Sequence, residues 1–199
     1  MNPWYGKIAV LVVFLGIVVI RAPHGSRSGK IKIVDDRRGP LETGLLAVAW
    51  IVSILPLVWV ASSLLSFADY PLHPLPYALG LVFLAAGLLL FHRSHADLGT
   101  NWSITLQVRE NHRLVTSGIY ARIRHPMYSA LFLLAIAQAL ALPNWIAGPA
   151  YLFGFGLLYV LRVNAEERMM LDRFGAEYED YRRRSGRLFP KRRAASRAS

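Results

Sequence analysis

The chain has 199 residues, 54% of them hydrophobic, and 23 Lys and Arg against 12 Asp and Glu give it a formal net charge of +11. That composition excludes a disordered chain, which would be poor in apolar residues. An ordinary soluble domain does not fit either, because the apolar residues fall in long, almost uncharged runs. Cysteine is absent, so disulfides, thiolate nucleophiles and Cys-based zinc sites are excluded.

A bilayer core of about 30 Å takes about 20 apolar residues as a helix. The sequence offers five such runs in order: Trp4–Ile20, Leu45–Leu65, Leu75–Phe91, Met127–Leu142 and Trp145–Val163. The first resembles a secretory signal only superficially. No small-x-small cleavage site follows it, and Arg21, Pro23 and His24 come directly after, so it reads as a retained span. The Pro-rich stretch Asp69–Pro76 predicts a stiff connection between the second and third spans, which then form an antiparallel hairpin. Pro143-Asn144 joins the fourth and fifth spans into another.

Charge orients this arrangement. All the Lys and Arg except Lys7 lie in three segments, Arg21–Thr43, His92–Pro126 and Arg162 onward. Five spans put these three segments on one side, which the positive-inside rule makes cytoplasmic. The expectation is an all-α integral membrane helical bundle of about five transmembrane helices. Its N-terminus is outside, and its C-terminus and any cofactor pocket are on the cytoplasmic face. The charge is therefore a topology signal. The basic tail 191–199 has no aromatic residue to stack on bases, which argues against nucleic-acid binding and leaves a disordered or lipid-touching tail.

The chemistry is expected in the cytoplasmic segments. Gly99 marks the end of the third helix, Trp102 suits the membrane interface, and Ser103–Val108 reads as a short extended stretch. In Arg124-His125-Pro126-Met127-Tyr128, proline pushes His125 out of the helical region and suits the first helical position itself. The fourth helix therefore starts at Pro126, with its free N–H groups and positive dipole end suited to an anionic group. Arg162 and Glu166 share one helix face at i, i+4 where the fifth helix leaves the membrane. That helix stops at Gly175, and Glu177–Tyr181 forms a further amphipathic turn, placed on the bilayer surface. Taken singly, a His-Pro at a helix start reads as a cap and an Arg/Glu pair as a solvated ion pair. His92 and His95 lack a third ligand, so no metal site is expected.

The combination is more specific than its parts. Leu98-Gly-Thr-Asn-Trp-Ser, His112-Arg-Leu-Val-Thr-Ser-Gly-Ile-Tyr120, Arg124-His-Pro-Met-Tyr128 and Glu166-Glu-x-x-x-Leu171-x-x-x-Phe174-Gly-x-x-Tyr178-x-x-Tyr181 together closely resemble the isoprenylcysteine carboxyl methyltransferase family. The shorter Arg-His-Pro-x-Tyr element is shared with phospholipid N-methyltransferases and sterol-type reductases. Ile119 departs from the proline of many bacterial members.

The resemblance implies a membrane methyltransferase that uses S-adenosylmethionine, releases S-adenosylhomocysteine and needs no metal. It implies that Gln107, His112, Arg113, Leu114, Val115, Tyr120, His125, Pro126, Met127 and Tyr128 line the cofactor pocket. Glu166 would contact the cofactor and Arg162 would hold a lipophilic or prenylated acceptor, these two carrying catalysis. The expected acceptor is a carboxylate. A phospholipid or small-amine N-methyltransferase and an NADPH-dependent sterol-type reductase are the alternatives. The chain then divides into N-terminal helices (1–96), a methyltransferase core (97–190) and the basic tail (191–199).

Overall fold

The computed structural model describes residues 1–28, 33–36, 39–99, 107–109 and 113–191, with backbone alone at 27–28, 34–36 and 107–109. Its elements in chain order are α1 (Trp4–Ser28), β1 (Ile33–Asp36), α2 (Pro40–Ala61), α3 (Pro74–Leu98), β2 (Gln107–Arg109), α4 (Pro126–Ala141), α5 (Ala147–Phe174) and α6 (Ala176–Arg184). Single 3-10 turns occupy Ser66–Ala68 and Gly118–Ala121. The architecture is a helical membrane bundle with one small addition. β1 and β2 pair antiparallel, Ile33 opposite Arg109 and Asp36 opposite Gln107, with an irregularity between Ile33 and Asp35. Of the extended stretch expected over Ser103–Val108, only Gln107 and Val108 fall among the described residues, and both lie in β2.

Helix boundaries follow local chemistry. Proline occupies the first turn of α2, α3 and α4, where its missing N–H costs no hydrogen bond. α3 and α5 end at Gly99 (φ 58°) and Gly175 (φ 52°), a backbone conformation in which a Cβ is disfavoured. Asn144 starts α5 by accepting the N–H groups of Ile146 at 3.0 Å and Ala147 at 2.8 Å.

Among the described residues three helices, α1, α2 and α3, are long and apolar enough to cross a membrane. Their lipid-facing character shows in exposed side chains such as Leu15, Val19, Ile51, Val82 and Leu89. α4 is apolar over its 16 residues, which at about 1.5 Å per residue rise about 24 Å, short of the hydrocarbon thickness. α5 combines an apolar first half with a charged second half.

The packing departs from the simple hairpin order. α3 packs chiefly on α4 and on α1, whereas α2 packs on α5. The second and third helices are therefore neighbours in sequence but not packing partners, contrary to the hairpin expectation. Small residues decide this. Gly80 lies against the Ala137 carbonyl and Ala141, and a Cβ on Gly87 would sit 2.8 Å from Leu134 Cδ2. Only glycine lets α3 approach α4 that closely. The core runs through Ala9, Val13, Leu84, Phe91, Leu131, Leu134, Phe155 and Leu158.

At one end of the bundle the two links that carry no Lys or Arg are tied together. Buried Asn144 donates to the Leu65 carbonyl and to Asp69 Oδ1, both at 2.7 Å. The same Asp69 oxygen accepts Trp59 Nε1 at 2.6 Å. Tyr70 N–H donates to the Pro143 carbonyl at 3.1 Å, and Trp145 N–H to the Ala68 carbonyl at 3.0 Å. The candidate site lies at the opposite end.

Candidate active site

Where α3 ends, α4 begins and α5 turns polar, the helices surround a cavity of about 560 Å³. His125 precedes α4 with φ −121° and ψ 58°, outside the helical region as Pro126 requires. Its ring lies over Tyr128, with centroids 5.5 Å apart. The Tyr128 hydroxyl donates to Glu166 Oε2 at 2.5 Å, and His125 Nδ1 is 3.8 Å from Glu166 Oε1. Tyr159 and Phe155 pack against the Tyr128 ring, fixing it from the α5 side.

The Gly118–Ala121 turn forms the wall above. Asp97 Oδ2 accepts the Ile119 N–H at 2.7 Å, and buried Tyr120 points its hydroxyl at the Ser94 carbonyl, 3.4 Å away. Gly118 sits at φ 57° directly over the Asp97 carboxylate, so a Cβ there would collide with it. α6 locks this turn. Tyr181 hydroxyl donates to the Tyr120 carbonyl at 2.7 Å, and Tyr178 and Tyr181 are both buried. Burial pushes the Tyr181 hydroxyl up to about 12, so it stays a donor. α6 thus seals the site with its tyrosines.

A second carboxylate organises the base of the site. Buried Glu167 accepts from Arg124 Nε at 3.2 Å, from Arg187 Nε and Nη2 at 3.1 and 2.6 Å, and lies 3.2 Å from His125 Nε2. Burial would raise its carboxyl, but the hydrogen bonds from His125 and Arg187 and the Arg124 charge outweigh that and hold it well below the usual carboxylate range. The segment after α6 runs beside residues 122–125. Arg124 N–H donates to the Gly186 carbonyl at 2.8 Å and His125 N–H to the Arg187 carbonyl at 3.0 Å. Ser129 Oγ adds a bond to the Leu188 carbonyl at 2.6 Å.

Arg162 enters the cavity wall from α5 and reaches across to form an ion pair with Glu42 Oε1 on α2 at 3.4 Å. The sequence had coupled Arg162 only to Glu166. Both line the cavity, but the charge partner comes from another helix.

Of the residues singled out by sequence, Arg113, Leu114, Val115 and Tyr120 line this cavity. His125, Met127, Tyr128, Arg162 and Glu166 line it as well. Pro126 is buried as the first residue of α4 and does not line it. Gln107 is in β2 with its side chain undescribed, and His112 and Trp102 lie outside the described residues. Sequence reasoning missed Glu42, Glu167 and Arg124 as parts of the site. Glu42 carried a signal, being the one charged residue of an otherwise apolar helix. Glu167 stood beside Glu166 in the motif without a separate role.

Residues 78–172 match the sequence profile of the isoprenylcysteine carboxyl methyltransferase (ICMT) family. That stretch resembles the ICMT family and takes in just under half of the chain. It contains α3 from its second turn, the cavity-lining loop, α4 and all but the end of α5. A protein-S-isoprenylcysteine O-methyltransferase of Tribolium castaneum is 32% identical over 114 residues, covering 56% of this chain and 41% of the relative. One of Homo sapiens is 33% identical over 107 residues, covering 53% and 38%. Protein-S-isoprenylcysteine O-methyltransferase B of Arabidopsis thaliana is 26% identical over 140 residues, covering 69% of this chain and 70% of that one. The chain thus spans about two-fifths of the length of the insect and human relatives. The solved structure of the eukaryotic intramembrane Ras methyltransferase ICMT superposes with a TM-score of 0.59 at 24% identity, covering 95% of this chain and 66% of that one. The ICMT membrane fold therefore extends beyond the matching segment to the first two helices.

Proposed function

We propose that this protein transfers a methyl group from S-adenosylmethionine to a lipophilic acceptor, a carboxylate as in isoprenylcysteine carboxyl O-methylation, at the cytoplasmic membrane face. The observation that carries the reading is the meeting of Glu166, Tyr128, His125 and Arg162 around one cavity. That cavity is polar at the α4–α5 junction and apolar along α1 and α2, where Val13, Ile17, Leu46 and Trp50 line it. A polar donor and a greasy acceptor need just these two kinds of wall.

The residues suit the donor. Glu166 offers a carboxylate for its cationic end, and the aromatic faces of Tyr120 and Tyr128 offer cation–π and stacking contacts. When bound, S-adenosylmethionine supplies a methyl group on a sulfonium for in-line displacement and leaves as S-adenosylhomocysteine. Tyr128 holds Glu166 in place through its hydroxyl. Glu167 holds the His125 ring against Tyr128. Arg162 orients the acceptor carboxylate with paired N–H donors, and an ionised carboxylate needs no general base. The buried aromatic walls exclude water, which alignment of the reacting groups requires.

In this reading residues 97–190 form the methyltransferase core, and α4 and α5 complete a five-span topology. The concentration of Lys and Arg in three segments supports placing that end in the cytoplasm. The test is a labelled-methyl assay on purified protein with lipophilic carboxylates, amines and thiols. Carboxylates should be methylated, and Arg162→Lys, which loses the planar fork, should lower turnover at least about tenfold. No labelled product from any acceptor would overturn the reading.

A further inference from the structure

Glu42 is ion-paired to the cavity-lining Arg162, and it comes from outside the family-matching segment. It sits in the first turn of α2, one turn before Leu46 of the cavity wall, and is itself only 5% exposed. Arg162 is 9% exposed and faces the cavity. Their contact joins α2 to α5, which pack on one another.

Two opposite charges taken out of water each lose their solvation, and their attraction offsets that loss only while both are present. Arg162 therefore holds a counterion supplied by the protein. An incoming acceptor carboxylate competes with the Glu42 carboxylate for the same guanidinium, whereas an uncharged acceptor leaves the pair intact. We propose that Glu42 is a specificity-determining residue: as the resident counterion of Arg162 it sets how strongly the acceptor side favours an anionic acceptor over a neutral one. Glu42 is not among the cavity-lining residues, so it acts through Arg162 as a positioning residue. The inference rests on the methyl-transfer reading for the acceptor's location, and it deepens that reading by assigning the charge selectivity of the site.

The consequence has a definite sign. Glu42→Gln keeps the shape and removes the charge, so Arg162 loses the carboxylate that α2 supplies. A lipophilic carboxylate then supplies what Glu42 supplied and binds more tightly. A neutral amide with the same tail gains nothing.

The experiment uses the full chain in lipid nanodiscs and measures dissociation constants for a prenylated cysteine carboxylic acid and for its primary amide. In Glu42→Gln the acid should bind about tenfold more tightly than to wild type. The amide should stay within about twofold. In the double variant Glu42→Gln/Arg162→Gln the preference for the acid should disappear. Should Glu42→Gln fail to accumulate, Glu42→Asp is measured the same way. Its shorter side chain draws the counterion back, and the acid should gain about threefold over the amide. Equal changes for acid and amide, or no change in either, would overturn the proposal. S-adenosylmethionine binding to wild type is measured in parallel. Its absence sinks the methyltransferase reading, and the acid-to-amide comparison still reports on the counterion.

Discussion

The two ends of the bundle draw on the same material, polar side chains set among apolar helices, and use it in opposite ways. At the end formed by 62–74 and 142–146, the groups joining the links are almost all neutral, and one asparagine saturates its amide with partners from both links. At the other end Glu42, Arg124, Arg162, Glu166, Glu167 and Arg187 gather around one histidine and one cavity. Neutral, fully paired groups are an economical way to tie loops together, because little solvation is lost. Buried charges are not, since well-packed apolar residues often stabilise as much. The charged end therefore reads as a place kept for chemistry and the neutral end as a fastening.

This contrast can be broken first by uncoupling activity from stability. Glu166→Gln should lower methyl transfer by about 10²–10³-fold, in the range of losing one preorganised electrostatic contact. Its thermal midpoint should move by no more than about 3 °C, because Glu166 is partly exposed. A large drop in midpoint would make Glu166 structural. The converse is Asn144→Leu, which takes the side-chain partner from the Leu65 carbonyl and from two backbone N–H groups and leaves Asp69 with Trp59 alone of its two donors. It should cost about 3 kcal/mol in unfolding while turnover of the folded fraction is unchanged.

A smaller effect tests the helix contact that carries both ends. Gly87→Val pushes against Leu134 and should destabilise by about 1–3 kcal/mol, read by denaturant midpoint, with turnover falling only as folded protein is lost. The gentlest test is pH. Glu167 is held below its ordinary carboxyl value of 4.5, so the native state binds its proton less readily than the unfolded chain. Its stabilisation is present above about 4.5 and lost as pH falls below that, towards its lowered native value. Glu167→Gln should flatten the acid limb of the stability curve and leave it unchanged near neutrality relative to its own plateau. An acid limb identical to wild type would remove Glu167 from its place as the anchor of Arg124, His125 and Arg187.

Much of this was legible along the chain, and the reason is local. Apolar runs of membrane length, proline at helix starts and glycine at helix ends act within a few residues. The start of α4 at Pro126 and the ends of α3 and α5 at Gly99 and Gly175 therefore fell where they were expected. His125, Tyr128, Arg162 and Glu166 stood out because motif spacing is also local. Contacts between distant helices were not legible. The Glu42–Arg162 pair spans 120 positions, and nothing in either neighbourhood announces the other. α6 looked like a surface helix because Tyr178 and Tyr181 could face lipid or protein equally well. The strap beside 122–125 and the Tyr181 bond to Tyr120 turn them inward against the 118–121 turn.

By itself, then, the sequence determined that the chain enters a membrane as helices, where those helices start and stop, and which side chains gather near the α4–α5 junction. Hydrophobicity and backbone chemistry act on each segment separately, and no partner is needed to read them. The tertiary structure alone decided that α3 leans on α4 rather than α2, that Glu167 anchors the base of the site, and that α2 brings a carboxylate to Arg162. Those outcomes depend on which surfaces fit when all the helices compete for one another, and that competition is settled only in three dimensions.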